Sequence, residues 1–264
     1  MERLQVLVAT MHQQDLSLFD KMNLQCDAVI ANQAGRNEII VSEGRKMITT
    51  ATRGVGLNRN IALLAADADI VLFADDDVVY YDGLEENVLK AFRENPKADV
   101  MIFGMDMMKN GQVHEKRHLK NGRLRVWKSM RFGTYRIAAR RQALLRCAIM
   151  FNQNFGGGCP FSSGEDSLFL KACFDRGLRV FGNEYVLGTC AKDSSSWFTG
   201  YHEKYFYDKG VLMYYLFPRI PRLMALYFAI HFKRKSDLTM MHRVKWMLRG
   251  ARNGKSLQPY MTEK

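Results

Sequence analysis

Three acidic residues in a row close an apolar run, Ile70-Val-Leu-Phe-Ala-Asp75-Asp76-Asp77. Carboxylates this close repel one another, which raises their pKa values and costs stability when no cation is near. A divalent metal removes the repulsion. An all-oxygen set suits Mg2+ or Mn2+, which take few protein carboxylates and fill the rest of their shell with water and substrate phosphates. If the strand geometry continues through the run, Asp75 and Asp77 lie on the same side. The bland alternative is a solvated acidic loop capping a helix that starts near Gly83. The three aspartates alone do not decide between the two.

Two further segments carry chemistry. Upstream lies Thr52-Arg53-Gly54-Val55-Gly56-Leu57-Asn58-Arg59-Asn60. Its glycines permit a tight turn and close approach of a ligand to the backbone. Arg53 and Arg59 can neutralise a diphosphate, and a helix starting near Asn58 would add unpaired N–H groups and a positive dipole end. The structural alternative is a capped strand-to-helix turn with two surface arginines. Downstream, Gly156-Gly157-Gly158-Cys-Pro-Phe-Ser162-Ser163-Gly164-Glu165-Asp166 opens another helix. A glycine loop beside two carboxylates suits a site that closes over a substrate, and a carboxylate can serve as general base for a sugar hydroxyl. Ordinary capping by Ser162 or Ser163, with Glu165 and Asp166 in the first turn, explains the same residues without function.

The surrounding elements must place these segments together. Strand-like runs at Leu4–Ala9, Ala28–Ala31, Met47–Thr52, Ile70–Ala74 and Val100–Phe103 alternate with helical patterns over 15–22, 58–66 and 83–94. In the second helix the spacing puts Ile61, Leu64 and Ala65 on one face. Residues 109–131 are charged and aperiodic. A strand over 134–138, a helix over 141–147 and a helix over 167–176 follow, the last with Leu168, Ala172 and Cys173 inward and Gly177 as its C-cap. Alternating strands and helices imply a mainly parallel sheet with helices on both faces, which binds ligands beyond the carboxyl ends of its strands.

The chain has 264 residues and a net charge of +12. Residues 200–264 hold 13 Lys/Arg against 4 Asp/Glu, so most of the excess belongs to the C-terminal part. Its partner is therefore the tail's partner. Five scattered cysteines, an odd number with no C-x-x-C pair, argue against a disulfide framework or a thiolate zinc site and fit a reducing cytoplasm. The run from Val211 to Phe232 is rich in Leu, Tyr, Phe and Met but is interrupted by Pro218, Arg219, Pro221 and Arg222, too short for a spanning helix. His242–Arg252 looks like an amphipathic surface helix. The expected division is a domain over 1–199 and a basic, aromatic-rich helical extension over 200–264.

Taken together, the strand Val6–Thr10, the turn Arg53–Asn60, the Asp75–Asp77 strand end and the loop Gly156–Asp166 resemble, in order, the family-2 glycosyltransferases of GT-A fold. Ser194–Tyr201 is similar to a stretch in bacterial capsule and surface-polysaccharide transferases of that family. Many relatives carry a His shortly before such serines; here Cys190, Lys192 and Asp193 stand there, and the first later His is His202.

The resemblance implies inverting transfer from a nucleoside-diphosphate sugar, most often a uridine one, to a glycan or lipid-linked acceptor in surface polysaccharide synthesis. It implies Asp166 as base with Glu165 as the less favoured choice, and Asp77 as metal ligand for Mn2+ or Mg2+. Asp75 or Asp76 would meet the ribose or share the metal. Thr10 and Gln33 would face the base, and Arg53 and Arg59 the phosphates. An anionic membrane surface is the expected partner of the extension, giving a cytoplasmic protein peripheral on the inner face. The competing readings are a nucleotidyltransferase on a similar fold and a basic nucleic-acid- or membrane-binding protein without catalysis. Thr10-Met-His-Gln-Gln in place of a Gly-rich basic loop speaks against the first, and the acidic cluster against nucleic acid.

Overall fold

A computed structural model describes residues 2–126, 132–191 and 200–260. In it the strands β1 (Leu4–Met11), β2 (Ala28–Gln33), β4 (Arg45–Thr50) and β5 (Ile70–Asp75) lie parallel in the order β4-β2-β1-β5. β10 (Ile137–Arg140) runs antiparallel between β5 and β7 (Val100–Lys109), so β7 again points the way β5 does, and β11 (Val180–Ala191) is parallel to β7. The edges are antiparallel: β3 (Glu38–Ser42) on β4 and β6 (Val78–Tyr80) on β11. β8 (Gln112–Arg117) pairs with β7, and β9 (Gly122–Arg123) with β11. The mainly parallel mixed sheet expected from the alternating pattern is therefore present.

Alternate residues of each strand feed two cores. Val6, Val8 and Leu72 meet Phe19 of α1 (Leu18–Lys21) and Val88 and Phe92 of α3 (Leu84–Glu94) on one face. Leu7, Val71 and Phe73 meet Leu63 of α2 (Val55–Ala65), Leu144 of α4 (Arg141–Arg146) and Phe169 and Leu170 of α5 (Glu165–Asp175) on the other. Burying both faces is what a parallel sheet requires.

Several local expectations need correction. The helix expected over 15–22 is only the four residues of α1. The aperiodic segment after Lys109 holds the β8 strand, whose exposed, charged residues show no alternation because little covers them. Thr134–Arg136 is a 3-10 turn leading into β10, not part of a strand. The inward face of α5 is Phe169, Leu170 and Cys173, with Leu168 and Ala172 only half-buried.

The largest error concerns α2. It begins at Val55, three residues before the expected Asn58, and its inward residues are Gly56, Asn58, Arg59, Asn60, Ala62 and Leu63. Leu64, expected inside, is 61% exposed. A hydrophobic pattern cannot find a helix face that is buried because its polar side chains have partners.

The extension forms α6 (Glu203–Leu216), α7 (Pro221–Ile230) and α8 (Met240–Asn253) around a third core. The helix expected as a surface element, α8, buries Trp246 and Met247. It meets α6 closely because Gly210 and Gly250 face each other's backbones: a Cβ on Gly250 would lie 2.0 Å from the Tyr207 carbonyl oxygen. Phe155 and Phe161, from the glycine loop before α5, belong to this third core, so the extension is built onto that loop. Phe206 and Tyr207 are buried in it. Among the described residues no helix is long and apolar enough to cross a membrane. Most of the Ser194–Tyr201 stretch lies outside the described residues.

Candidate active site

Arg59 sits at the centre of the cluster, its side chain 4% exposed. The second turn of α2 aims it across the carboxyl end of the sheet, and its guanidinium lies over the Phe151 ring, 5.4 Å from the centroid. Phe151 is in turn stacked on Phe169 at 4.3 Å and edge-on to Phe73 at 5.0 Å, so the platform is part of the core. Asn58 and Asn60 hold the helix on either side. Asn58 Nδ2 donates to the Thr10 and Ala31 carbonyls, and Asn60 exchanges two hydrogen bonds with the Phe151 backbone.

From there Arg59 reaches three carboxylates supplied by two distant segments. Its Nη2 is 2.7 Å from Asp75 Oδ1 at the end of β5. Its Nη1 is 3.2 Å from Glu165 Oε1 and 3.4 Å from Asp166 Oδ1 at the start of α5. Burial opposes the charge on Arg59, but Asp75, Asp166 and Glu165 outweigh it and raise its pKa above the ordinary arginine value. Arg59, expected to face the phosphates, is thus the internal counterion of these three carboxylates.

The two carboxylates of α5 differ. Glu165 is 12% exposed, and both oxygens are engaged, Oε1 by Arg59 and Oε2 by the Gly164 N–H at 3.0 Å. Asp166 is 30% exposed; Oδ1 accepts from Thr134 and Arg59, and Oδ2 has no partner among the described residues. Burial first, and the Glu165 charge second, push the Asp166 pKa up, against the pull of Arg59. No side chain caps α5, so Ser162 and Ser163 do not explain the segment.

The acidic strand end is also differentiated. Asp75 pairs with Arg59, and Asp76 accepts from the Thr10 hydroxyl at 2.5 Å. Asp77 makes no ion pair among the described residues. The surrounding protein, then Asp75 and Asp76, raise its pKa to about 6, against the pull of the nearby Cys190 thiol, which donates to the Ala191 carbonyl at 3.7 Å. Cys190 itself is pushed upward, by burial first and Asp77 next, so a neutral thiol faces the carboxylate. β5 ends at Asp75, and Asp76 and Asp77 form the turn into β6, so strand alternation does not relate Asp75 to Asp77.

Thr10 and Gln33 are buried and turned to protein partners. Thr10 supports Asp76, and Gln33 Nε2 donates to the Gly54 carbonyl at 3.2 Å, pinning the turn before α2. Arg53 is exposed at the rim. The glycines serve packing more than ligand approach. A Cβ on Gly56 would lie 2.4 Å from the Asn152 carbonyl oxygen, and one on Gly156 2.5 Å from Val55 Cγ1. The first N–H of α2, on Val55, already donates to the Gly157 carbonyl at 2.9 Å. The glycine loop thus covers the α2 N-terminus that was expected to receive a phosphate.

Three further contributors join the site, of which the sequence singled out only Cys190, as standing where relatives carry a His. Thr134 anchors Asp166 from the 3-10 turn, and Cys190 contacts Asp77. Lys209, on α6, feels Glu165 and Asp166, and burial lowers its pKa against their pull. The extension therefore brings an amine within electrostatic reach of the cluster. Nothing in local spacing marks these residues, because each arrives from a separate element.

The donor set fits a divalent cation of the oxygen-loving kind. Among the described residues no three His, Cys, Asp or Glu side chains converge as a closed metal site. One or two carboxylates, Asp77 foremost, crowd against one another at an open edge, the arrangement in which Mg2+ or Mn2+ draws its remaining ligands from water and a diphosphate.

In sequence, residues 35–152 match the model of glycosyl transferase family 2. That segment contains the Arg53–Asn60 turn and the acidic strand end and stops before the Gly156–Asp166 loop. No curated protein matches in sequence. Among solved structures, S. aureus TarS residues 1–349 in complex with UDP-GlcNAc superposes with a TM-score of 0.60 at 16% identity, covering 96% of this chain and 74% of that one. The same protein in complex with UDP gives 0.57 at 16% identity, covering 96% and 72%. At this identity the likeness is one of fold, and the fold is GT-A-like with a helical C-terminal region.

Proposed function

We propose that this protein is a family-2-type glycosyltransferase that moves a sugar from a uridine-diphosphate sugar to an acceptor hydroxyl with inversion. The observation that carries the reading is Arg59. One buried guanidinium ties Asp75 at the β5 end, two residues before Asp77, to Glu165 and Asp166 at the α5 start. The family match over residues 35–152 and the UDP and UDP-GlcNAc bound to TarS support the same reading.

In this reading Asp77, with Asp75 or Asp76, would hold Mn2+ or Mg2+, which would supply positive charge to offset that growing on the diphosphate leaving group. Arg53 meets the phosphates from the rim. Thr10 and Gln33 act from behind the nucleotide, fixing Asp76 and the Gly54 turn. Asp166 Oδ2 takes the proton of the acceptor hydroxyl as its oxygen attacks the anomeric carbon. The carbon–oxygen bond to the diphosphate breaks, and the nucleoside diphosphate leaves with that electron pair. Glu165 and Thr134 position Asp166. A raised pKa suits a base that works near neutrality.

The acceptor is a glycan or lipid-linked hydroxyl of surface polysaccharide synthesis, presented at the inner face of a membrane that the 200–264 extension meets. The test is release of nucleoside diphosphate from a panel of nucleotide sugars, with Mn2+, Mg2+ or chelator. A small set of uridine donors hydrolysed slowly, and only with metal, is expected. Neither hydrolysis nor calorimetric binding of any nucleotide sugar would refute the assignment.

A further inference from the structure

The outer face of α7 is apolar where a solvated helix should be polar. Leu223, Leu226, Tyr227 and Ile230 follow one stripe at i, i+3, i+4 and i+7, and they are 60%, 36%, 55% and 47% exposed. The opposite face is already used: Ala225 and Ala229 are buried in the third core. Ile220 before the helix and Met240 and Met241 at the start of α8 add exposures of 45%, 50% and 77%. Single exposed apolar residues are ordinary, whereas a continuous stripe marks an interaction surface.

The charge around the stripe is of one sign. Residues 218–235 contain Arg219, Arg222, Lys233, Arg234 and Lys235 and no Asp or Glu. Beside the stripe is a cavity of about 420 Å³ lined by Arg219, Arg222, Arg252 and Lys255, with Tyr214 and Leu223 in its wall. No carboxylate among the described residues lines it. None of the four cations makes an ion pair or side-chain hydrogen bond among the described residues, in contrast to Arg59 and its three partners. Four like charges around one cavity repel unless an anion lies between them.

We infer that this is a binding site for an anionic phospholipid of a membrane surface: the cavity takes the phosphate headgroup, and the α7 stripe lies among the acyl chains beside it. An amphipathic helix with cations at its edge combines the two contributions that hold a helix in a bilayer interface, apolar burial and attraction to anionic lipid. A nucleic-acid phosphate would satisfy the cations but leave Leu223, Leu226 and Ile230 in water, so the stripe selects lipid. The site also revises which half of the extension meets the membrane. The basic helix α8 packs its Trp246 inward, and the helix that faces outward is the aliphatic α7.

The inference rests on the membrane reading of the extension, not on the glycosyl-transfer chemistry. The full chain is floated with phosphatidylcholine vesicles, with and without phosphatidylglycerol, alongside two double variants, Arg222→Glu with Arg252→Glu and Leu223→Ser with Tyr227→Ser. Calorimetric UDP binding reports that each variant is folded. The wild type should float only with phosphatidylglycerol and less so in high salt. Each variant should lower the bound fraction about tenfold while leaving UDP binding unchanged. A wild type that floats, with variants that float equally, overturns the site and spares the membrane reading. A wild type that ignores phosphatidylglycerol at low salt overturns both. Binding of single-stranded RNA by the cavity cations, or a dimer broken by the Leu223/Tyr227 variant in sedimentation, would equally overturn it.

Discussion

Two regions gather charge in opposite ways. Around Arg59 one cation is surrounded by three carboxylates, buried and matched, and the arrangement holds two remote parts of the chain together. Around the α7 cavity four cations face one another with no carboxylate, at an exposed edge. A matched buried cluster is an internal device, and its removal is felt by the fold. An unmatched surface cluster is stabilised only by something outside the molecule, so its removal leaves the fold alone. Asp77 lies between the two cases: it belongs to the inner cluster but has no ion pair of its own among the described residues.

The comparison is broken most forcefully at Arg59. Arg59→Met leaves three carboxylates without their counterion and should cost about 3–5 kcal/mol in urea denaturation, the usual penalty for removing one member of a buried charge group. A loss below about 1 kcal/mol would mean that the cluster is solvated and that Arg59 does not organise the site.

Gly56→Ala tests whether the turn before α2 is shaped by packing. The new methyl would stand 2.4 Å from the Asn152 carbonyl oxygen, on backbone that cannot swing aside. A destabilisation of about 1–3 kcal/mol follows from overpacking, with nucleotide affinity of the folded fraction little changed. Loss of affinity without loss of stability would restore a direct ligand contact at that glycine.

Asp77 sharpens the comparison through pH. Its folded pKa of about 6 lies above the reference 3.8, so the folded state keeps a proton that the unfolded chain releases. The stability linked to this group is therefore fully present below the reference value and is lost as pH rises through about 6. Asp77→Asn should leave the metal-free protein as stable as the wild type at neutral pH, or more so, in thermal melts. The same variant should lose metal-supported nucleotide binding, and wild-type binding should weaken as pH falls through about 6. Destabilisation at neutral pH without added metal would show that Asp77 already has a stabilising partner. The smallest effect on stability belongs to the outer region. Arg222→Glu with Arg252→Glu should shift urea stability by no more than about 0.5 kcal/mol, whatever it does to lipid binding.

The sequence made legible what rests on runs and on motifs. The buried strands β1, β2 and β5 are continuous apolar segments, and Asp75–Asp77 and Glu165-Asp166 stand where strand and helix ends meet at one edge of the sheet. What it hid depends on contacts between distant residues. The inward face of α2 is polar because Thr10, Ala31, Phe151 and three carboxylates receive it, and no periodicity reports that. Thr134, Cys190 and Lys209 reach the site from separate elements with no spacing in common. For α8, the basic residues suggested an outward helix, whereas Gly250 and Trp246 decide its packing.

The central claim is that Asp166 receives the acceptor proton while Asp77 and its metal hold the donor. Asp166→Asn tests it most directly, with donor binding by calorimetry and donor turnover, by water if no acceptor is in hand, measured on the same preparation. The account predicts a donor affinity within about twofold of the wild type and turnover lower by roughly 10²–10⁴-fold, the size of a general-base effect. Affinity and turnover falling together would contradict it, and full turnover in Asp166→Asn with loss in Glu165→Gln would give the role to Glu165.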